Sequence, residues 1–315
     1  MEKSRIHKDI VIIGAGMAGL TAALYAGRMN LDVLVLENGI IGGQIANATG
    51  IENYPGFAKV SGKELMGTLQ QQAESFGAVI DEFDSIVKVT LKGQPKLVET
   101  EEHIYEADVV IIASGMNRRK LPLPEEKKFA GKGVHYCELC DGHMYQDKVI
   151  AVMGGGNAAV DAANFLSKYA SKLYLIHRSD FRADEVSKKR LKENPKAEIF
   201  LQTEIKSLQG DGRLESIEVL DKVTGETRSL SVDGIFVNIG VVPNTELYKE
   251  ELPLTPGGRI EAGEDCRTAI PGVFAAGDVR EKEIRQLTTA AADGTAAALL
   301  AEKYLVKLKE GNPVW

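Results

Sequence analysis

The chain is predicted to be α/β, built from two Rossmann-like dinucleotide-binding units, and three observations carry that prediction. Short apolar strands run into glycine-rich turns at Gly14 and again at Gly154, 140 positions apart. Each turn opens a stretch of helical character, and a second apolar strand follows each stretch. The composition agrees, since 44% of the 315 residues are hydrophobic and the 32 glycines gather in short runs rather than one low-complexity tract.

In the first unit, residues 9–13 read as a strand buried on both faces of a parallel sheet. Gly14-Ala15-Gly16-Met17-Ala18-Gly19 follows, then a helix over about 20–29 and a strand over 33–36 that ends at Glu37. Gly14 permits the tight turn, Gly16 lets the backbone approach a pyrophosphate, and Gly19 lets helix and strand pack closely. The helix start offers amides and positive dipole to phosphates, and Glu37 is placed to accept hydrogen bonds from a ribose. The Gly- and Pro-rich runs at 41–45 and 52–57 form a loop able to wrap a bulky ligand. A helix is expected over 62–76, short strands over 78–101 and a strong strand over 107–113.

The second unit restarts the pattern with a strand at 149–153, the turn Gly154-Gly155-Gly156-Asn157-Ala158-Ala159, a helix to about 169 and a strand at 173–177. Short strands over 197–240 complete it, and 239–244 reads as the exit linker. The last segment is expected to be a strand over 268–278 ending at Asp278, an acid suited to a flavin ribitol hydroxyl. Arg285-Gln286 then opens an alanine-rich helix running to about 309, whose N-terminal dipole suits a reduced, anionic flavin.

Two of the three cysteines stand in Tyr136-Cys137-Glu138-Leu139-Cys140-Asp141-Gly142. A zinc site would need two further ligands, and neither a second Cys-x-x-Cys nor a His-x-x-x-His exists, so no metal is expected. A structural disulfide would close only a very short loop. What remains is a redox dithiol, in which one thiolate attacks a substrate disulfide and its neighbour resolves the mixed disulfide. Few cysteines, and an N-terminus that runs straight into a strand, suit a reducing cytoplasm. A net charge of −7 without a basic stripe argues against nucleic acid, and no apolar run approaches the length of a membrane span.

The residues together resemble the low-molecular-weight thioredoxin reductases along nearly the whole chain. The matching stretches are the Gly14–Gly19 turn, Gly42-Gly43-Gln44, Asn53-Tyr54-Pro55-Gly56, Cys137 to Gly142, Pro271 to Asp278 and Arg285-Gln286. The resemblance implies three-layer ββα domains, with an FAD domain of residues 1–116 and 243–315. A smaller pyridine-nucleotide-type domain, residues 117–242, carries the dithiol and swivels between two poses. It further implies a homodimer, with Gly14, Gly16, Gly19 and Glu37 on the ADP part of FAD and Gly43, Gln44, Asn53, Asp278 and Gln286 along the rest. Cys140 would face the flavin, Cys137 would attack the disulfide of thioredoxin or a thioredoxin-like protein, and Asp141 would move the proton. A carboxylate beside a dithiol suits that task, although Asp-Gly is also a common turn. Ferredoxin–NADP reductases share the architecture but lack the cysteine pair.

The nucleotide half of the inserted domain departs from the pattern. NADPH-using relatives carry Gly-Gly-Gly-Asp-Ser-Ala, where this chain has Gly-Gly-Gly-Asn-Ala-Ala from Gly154 through Gly156 to Ala159. Their His-Arg-Arg is His177-Arg178-Ser179 here, with Arg182 after a segment one residue shorter and Asp180 between. Arg178 and Arg182 remain to contact an NAD(P)H phosphate. One lost bidentate contact costs about 1.5–3 kcal/mol, roughly ten- to a hundredfold in affinity. The expected donor is therefore reduced ferredoxin or a second flavin, with NAD(P)H as the alternative. Elsewhere, Cys266 is expected to be a packed thiol and His177 to shape a turn. His135 and His143 read as surface or structural histidines, and the Trp315 tail as a dimer-surface anchor or an unordered end rather than a flavin cover.

Overall fold

The computed structural model describes residues 3–46, 48, 50–311 and 315. In chain order the first segment contains β1 (Ser4–Ile13), α1 (Met17–Arg28), β2 (Val33–Leu36), α2 (Gly62–Ser75), β3 (Val79–Asp81), β4 (Ile86–Thr90), β5 (Lys96–Thr100), β6 (His103–Ile112) and β7 (Met116–Arg118). The second contains α3 (Glu126–Phe129), β8 (Val134–His135), α4 (Glu138–Asp141), β9 (Val149–Met153), α5 (Asn157–Leu166), β10 (Lys172–Ile176) and α6 (Glu185–Lys192). It continues through β11 (Ala197–Phe200), β12 (Thr203–Gln209), β13 (Ser216–Asp221), β14 (Thr227–Ser231) and β15 (Gly234–Val237). The chain returns through β16 (Val241–Pro243) to β17 (Val273–Ala275) and α7 (Leu287–Lys309). Two compact units result, one from the residues up to Asn117 with those from Val242 on, the other spanning Arg118–Val241.

In the first unit the sheet runs β3-β2-β1-β6-β5-β4, with β17 also on β6. The two neighbours divide one edge of β6, β5 pairing antiparallel with residues 104–107 and β17 parallel with Val110–Ile112. Side chains alternate across the sheet with the two-residue period of a strand. Ile10 and Ile12 of β1 and Val109 and Ile111 of β6 face the core shared with α1, α2 and α7. Val11, Ile13, Val110 and Ile112 face the other core, with Ile86, Val89 and Val98 of β4 and β5. Burial on both faces is why these strands read as unbroken apolar runs.

The second unit repeats this plan at smaller scale. Its parallel sheet, β11-β10-β9-β15-β8, is packed on one side by Val160, Ala163 and Leu166 of α5. On the other side lie Ile205, Leu208, Ile217 and Val219 of the antiparallel β12-β13-β14 sheet. Each unit thus has a second set of strands, a parallel sheet and helices in layers, the α/β class expected.

The boundaries differ where backbone pairing extends beyond apolar side chains. β1 and β6 start at Ser4 and His103 rather than at 9 and 107, because Ser4–Lys8 pair with His103–Ala107 although most of these side chains reach solvent. The expected strand at 268–278 is only Val273–Ala275. Gly272, at φ +77°, turns the chain, and Arg267 bridges back antiparallel to Phe274. Trp315 is not an unordered end. Its ring lies edge-on to Phe274 and Tyr304, and its Nε1 donates to Thr268 O at 2.8 Å. The remainder of that tail, residues 312–314, lies outside the described residues.

Candidate active site

In the first unit the glycine turn is tight by construction. A Cβ on Gly19 would sit 1.8 Å from Gly14 O, and one on Gly14, at φ +108°, 2.4 Å from Ala113 O. Gly16 has open space where a Cβ would point, and Gly43 stands across from it, its own Cβ position 3.6 Å from Gly16 Cα. Glu37 sits at the end of β2, where its carboxylate accepts from Ala15 N and Gly39 N, both at 2.8 Å. α1 has neither a capping side chain nor an acid in its first turn, so its N-terminal amides and dipole face the cradle uncompensated. Gly19→Ala is expected to cost about 3 kcal/mol, the upper range for overpacking, because the clash is with backbone. The check is the flavin content and melting temperature of the purified variant; wild-type values for both would contradict it.

The fold gathers the other predicted residues of this unit from distant segments. Asn53 Nδ2 donates to Gln286 Oε1 at 3.4 Å across 233 positions of sequence. Gln286 caps α7 in a reciprocal pair with Thr289. Gln44 is exposed in a 3-10 turn at Gly43–Ile45, and half-buried Asp278 lies in another at Gly277–Val279. Arg285 Nε and Nη2 are buried without a hydrogen bond to any described residue, Nη2 being 3.7 Å from Glu281 Oε1. A glycine cradle, an uncapped helix start and unsatisfied guanidinium donors fit the anionic pyrophosphate and polar chain of FAD.

In the second unit Cys137 and Cys140 form a disulfide, with Cα atoms 5.2 Å apart. Cys137 is the N-cap of α4, its Sγ accepting from Cys140 N at 3.2 Å. The preceding Tyr136 anchors the segment, its hydroxyl donating to the buried Glu126 at 2.8 Å and accepting from Leu121 N at 3.3 Å. Burial and the Glu126 bond push the Tyr136 pKa up, so the hydroxyl stays a donor. Asp141 ends α4 and is 3.0 Å from His135 Nδ1. His135, from β8, is buried rather than on the surface, and its Nε2 lies 2.7 Å from Tyr145 OH. Leu139 and Met144 flank the dithiol with large apolar side chains about half exposed.

The second glycine turn leads from β9 into α5. Gly154 N donates to Ile176 O, and the His177 ring occupies the place of a Gly155 Cβ, which would lie 2.1 Å from it. His177 shapes this turn, with its Nε2 3.1 Å from Ser179 Oγ. Burial, then the charges of Arg182 and Arg178, push its pKa down, so the ring is neutral at neutral pH. Gly156 caps α5 without a side-chain bond, and Asn157 Oδ1 accepts from Asp184 N at 2.9 Å. Arg182 N donates to Gly155 O while its side chain and that of Arg178 are exposed. Asp180 accepts from Gln202 Nε2 at 3.2 Å.

The family model for pyridine nucleotide-disulphide oxidoreductases matches residues 8–294. The chain belongs to that family. This pyridine nucleotide-disulphide oxidoreductase is 49% identical over 304 residues to the 34.2 kDa protein in the rubredoxin operon of Clostridium pasteurianum, covering 96% of this chain and 99% of that one. It is 39% identical over 314 residues to thioredoxin reductase of Bacillus subtilis, covering 98% of each. The solved thioredoxin reductase of Streptococcus pyogenes superimposes with a TM-score of 0.91 at 37% identity, over 96% of this chain and 99% of that one. The chain is thus an FAD-dependent disulfide oxidoreductase of the thioredoxin reductase type.

Two features escaped sequence reading. One is the line Asp141–His135–Tyr145, whose members are close in sequence but on three separate elements. The other is Asp293, which accepts from Gly277 N, Arg280 and Lys282 at 2.8–2.9 Å and supports the turn bearing Asp278. Its signal was present: Asp293 interrupts a stripe of small buried residues, Ala290, Gly294, Ala297 and Ala301. A charge on such a face needs a partner. Cys266 is a packed thiol, fully buried against Asp293 O, its pKa pushed up to about 12 by burial.

Proposed function

We propose that this oxidoreductase reduces the disulfide of thioredoxin or a thioredoxin-like protein. Its electron donor is reduced ferredoxin or a second flavin at the Gly154–Gly156 turn rather than NADPH. The observation that carries the first part is the half-exposed Cys137–Cys140 disulfide on α4 beside Asp141, flanked by exposed Leu139 and Met144. Apolar side chains around a reactive thiol suit a protein surface better than a small polar disulfide. In the same reading the first unit is the FAD domain and the second the inserted nucleotide-type domain. Gly14, Gly16, Gly19 and Glu37 hold the ADP moiety, and Gly43, Gln44, Asn53, Asp278 and Gln286 the remainder.

FAD, when bound, supplies the two electrons that open the Cys137–Cys140 disulfide. The chain's own residues do the exchange. Cys137 thiolate attacks one sulfur of the partner's disulfide, whose S–S bond breaks. Asp141 takes the Cys140 proton and passes it to the released thiolate. Cys140 thiolate then attacks Cys137, re-forming the internal disulfide and expelling the second partner sulfur. A dithiol that must return to the reduced state works in a reducing compartment, which supports a cytoplasmic enzyme. Resemblance supports a homodimer.

The donor reading rests on Ser179, which is engaged with His177 where NADPH-using relatives carry an arginine, and on Asn157, which accepts from Asp184 N where they carry an aspartate. Arg178 and Arg182, both near enough to act on His177, favour the alternative of NAD(P)H. Anaerobic stopped-flow mixing decides between them. Reduced ferredoxin is expected to bleach the flavin within the turnover time, and NADPH to need roughly ten- to a hundredfold higher concentration than a site with the full set of arginines. Rapid bleaching at micromolar NADPH would sink the donor reading and leave the dithiol chemistry intact.

A further inference from the structure

We propose that His135 is the positioning residue for Asp141, fixing the place of its carboxylate beside the dithiol from a ring that Tyr145 and Phe236 hold in turn. The proposal rests on the reading of Asp141 as the acid/base of the exchange. His135 contributes both ring nitrogens: Nδ1 is 3.0 Å from Asp141 Oδ2 and Nε2 is 2.7 Å from Tyr145 OH. The ring is 6% exposed and cannot swing away, since it stacks on Phe236, its partner across the β8–β15 pairing, at 5.3 Å, with Tyr145 edge-on at 5.3 Å.

The tautomer follows from the tyrosine. Burial, then the Asp141 charge, push the Tyr145 pKa up to about 12, so the phenol keeps its proton and donates it to Nε2. A phenol that donates to Nε2 leaves the ring hydrogen on Nδ1, the nitrogen beside Asp141. The titratable and charged groups around this line are Asp141 from α4, Tyr145 from the turn at Gly142–Tyr145, and Arg213 and Asp233 acting on Tyr145. Asp233 is itself paired with Arg213 at 3.1 Å and Lys148 at 3.6 Å. In the exchange one proton leaves Cys140 Sγ, rests on Asp141 and ends on the partner's first released sulfur. Nδ1 stays beside the Oδ2 of Asp141, leaving Oδ1 to carry that proton. No electrons pass through the imidazole.

The test uses dithiol-reduced holoenzyme and hydroxyethyl disulfide as the probe, with exchange rates followed across pH, so the identity of the protein partner does not enter. Asp141→Asn is expected to slow exchange by about a hundredfold, the lower range for a lost general acid/base. His135→Ala is expected to slow it about tenfold, as for the loss of one contact that holds a charged group in place. His135→Asn, which keeps an N–H near the Nδ1 position, should restore the rate to within about threefold of wild type. Asp141→Asn combined with His135→Ala should be no slower than Asp141→Asn alone. A His135→Ala rate equal to wild type, a His135→Asn variant no faster than His135→Ala, or a double variant slower by the full product would overturn the positioning role while leaving Asp141 as acid/base. An unaffected Asp141→Asn variant would overturn both. If His135→Ala loses flavin or fold, Tyr145→Phe, which keeps the ring and removes only the bond to Nε2, takes its place with a slower exchange that disappears on the Asp141→Asn background; an unchanged rate counts against the proposal.

Discussion

Cys137→Ser and Cys140→Ser are each expected to lower protein-disulfide reduction by at least about a thousandfold, because a serine hydroxyl neither ionises near neutral pH nor forms a disulfide. The two variants should fail differently. Without Cys137 no mixed disulfide with the partner forms. Without Cys140 it forms but is not resolved, so a stoichiometric covalent complex with thioredoxin should accumulate and dissolve on adding reductant. Neither change should disturb the fold, since the segment is also held by Tyr136 on Glu126 and by Asp141 on His135. The measurement is thioredoxin reduction by flavin-reduced holoenzyme, with non-reducing electrophoresis for the trapped species. Full activity in either variant would remove the dithiol from the reaction. Trapping by Cys137→Ser instead of Cys140→Ser would reverse the roles of the two thiols.

The parts legible in sequence were those written in local patterns. A βαβ unit around a glycine turn needs few residues, all near one another, so the turns at Gly14 and Gly154 and the alternating strands β1 and β6 could be read directly. Val273–Ala275 was overextended because residues 268–278 are mostly apolar; the Pro271-Gly272 turn signal was present and outweighed by that composition. The surroundings of His135, read as a surface or structural histidine, were not legible for a different reason. They depend on a β8–β15 pairing across about a hundred residues that sets its ring on Phe236 and turns Nδ1 toward Asp141. Contacts fixed by tertiary closure, such as Asn53 with Gln286, leave no periodic trace along the chain. Only the resemblance to known reductases placed those two residues in one site.

Asp293→Ala should destabilise the first unit by about 3–5 kcal/mol, the cost of stranding buried charge. Asp293 is 5% exposed on the inner face of α7 and is the shared anion of two cations, Arg280 and Lys282, whose side chains are 1% and 5% exposed. The only other carboxylate paired with either among the described residues is the largely exposed Glu264, 3.2 Å from Arg280. Removing Asp293 therefore leaves Lys282 without an anion and Arg280 with a screened one, and it frees the amide of Gly277. Asp293→Asn should fall between wild type and alanine, since its amide oxygen can still accept while the charge is gone. Burial opposes ionisation of Asp293, yet the hydrogen bonds from Arg280 and Lys282 outweigh it and hold the carboxyl below its ordinary value of 3.8. A depressed carboxylate stabilises the fold fully above its unfolded pKa and loses that contribution as pH falls through the folded one. Wild type should accordingly lose stability progressively below about pH 4, and Asp293→Asn should show a shallower acid slope. Because the same carboxylate holds the Gly277 amide beside Asp278, flavin release should precede unfolding in both variants. Urea denaturation followed by flavin fluorescence and by far-ultraviolet circular dichroism reports the two events separately. An alanine variant within about 1 kcal/mol of wild type, a change ordinary for a surface site, would show that Arg280 and Lys282 find solvent or other anions when Asp293 is gone.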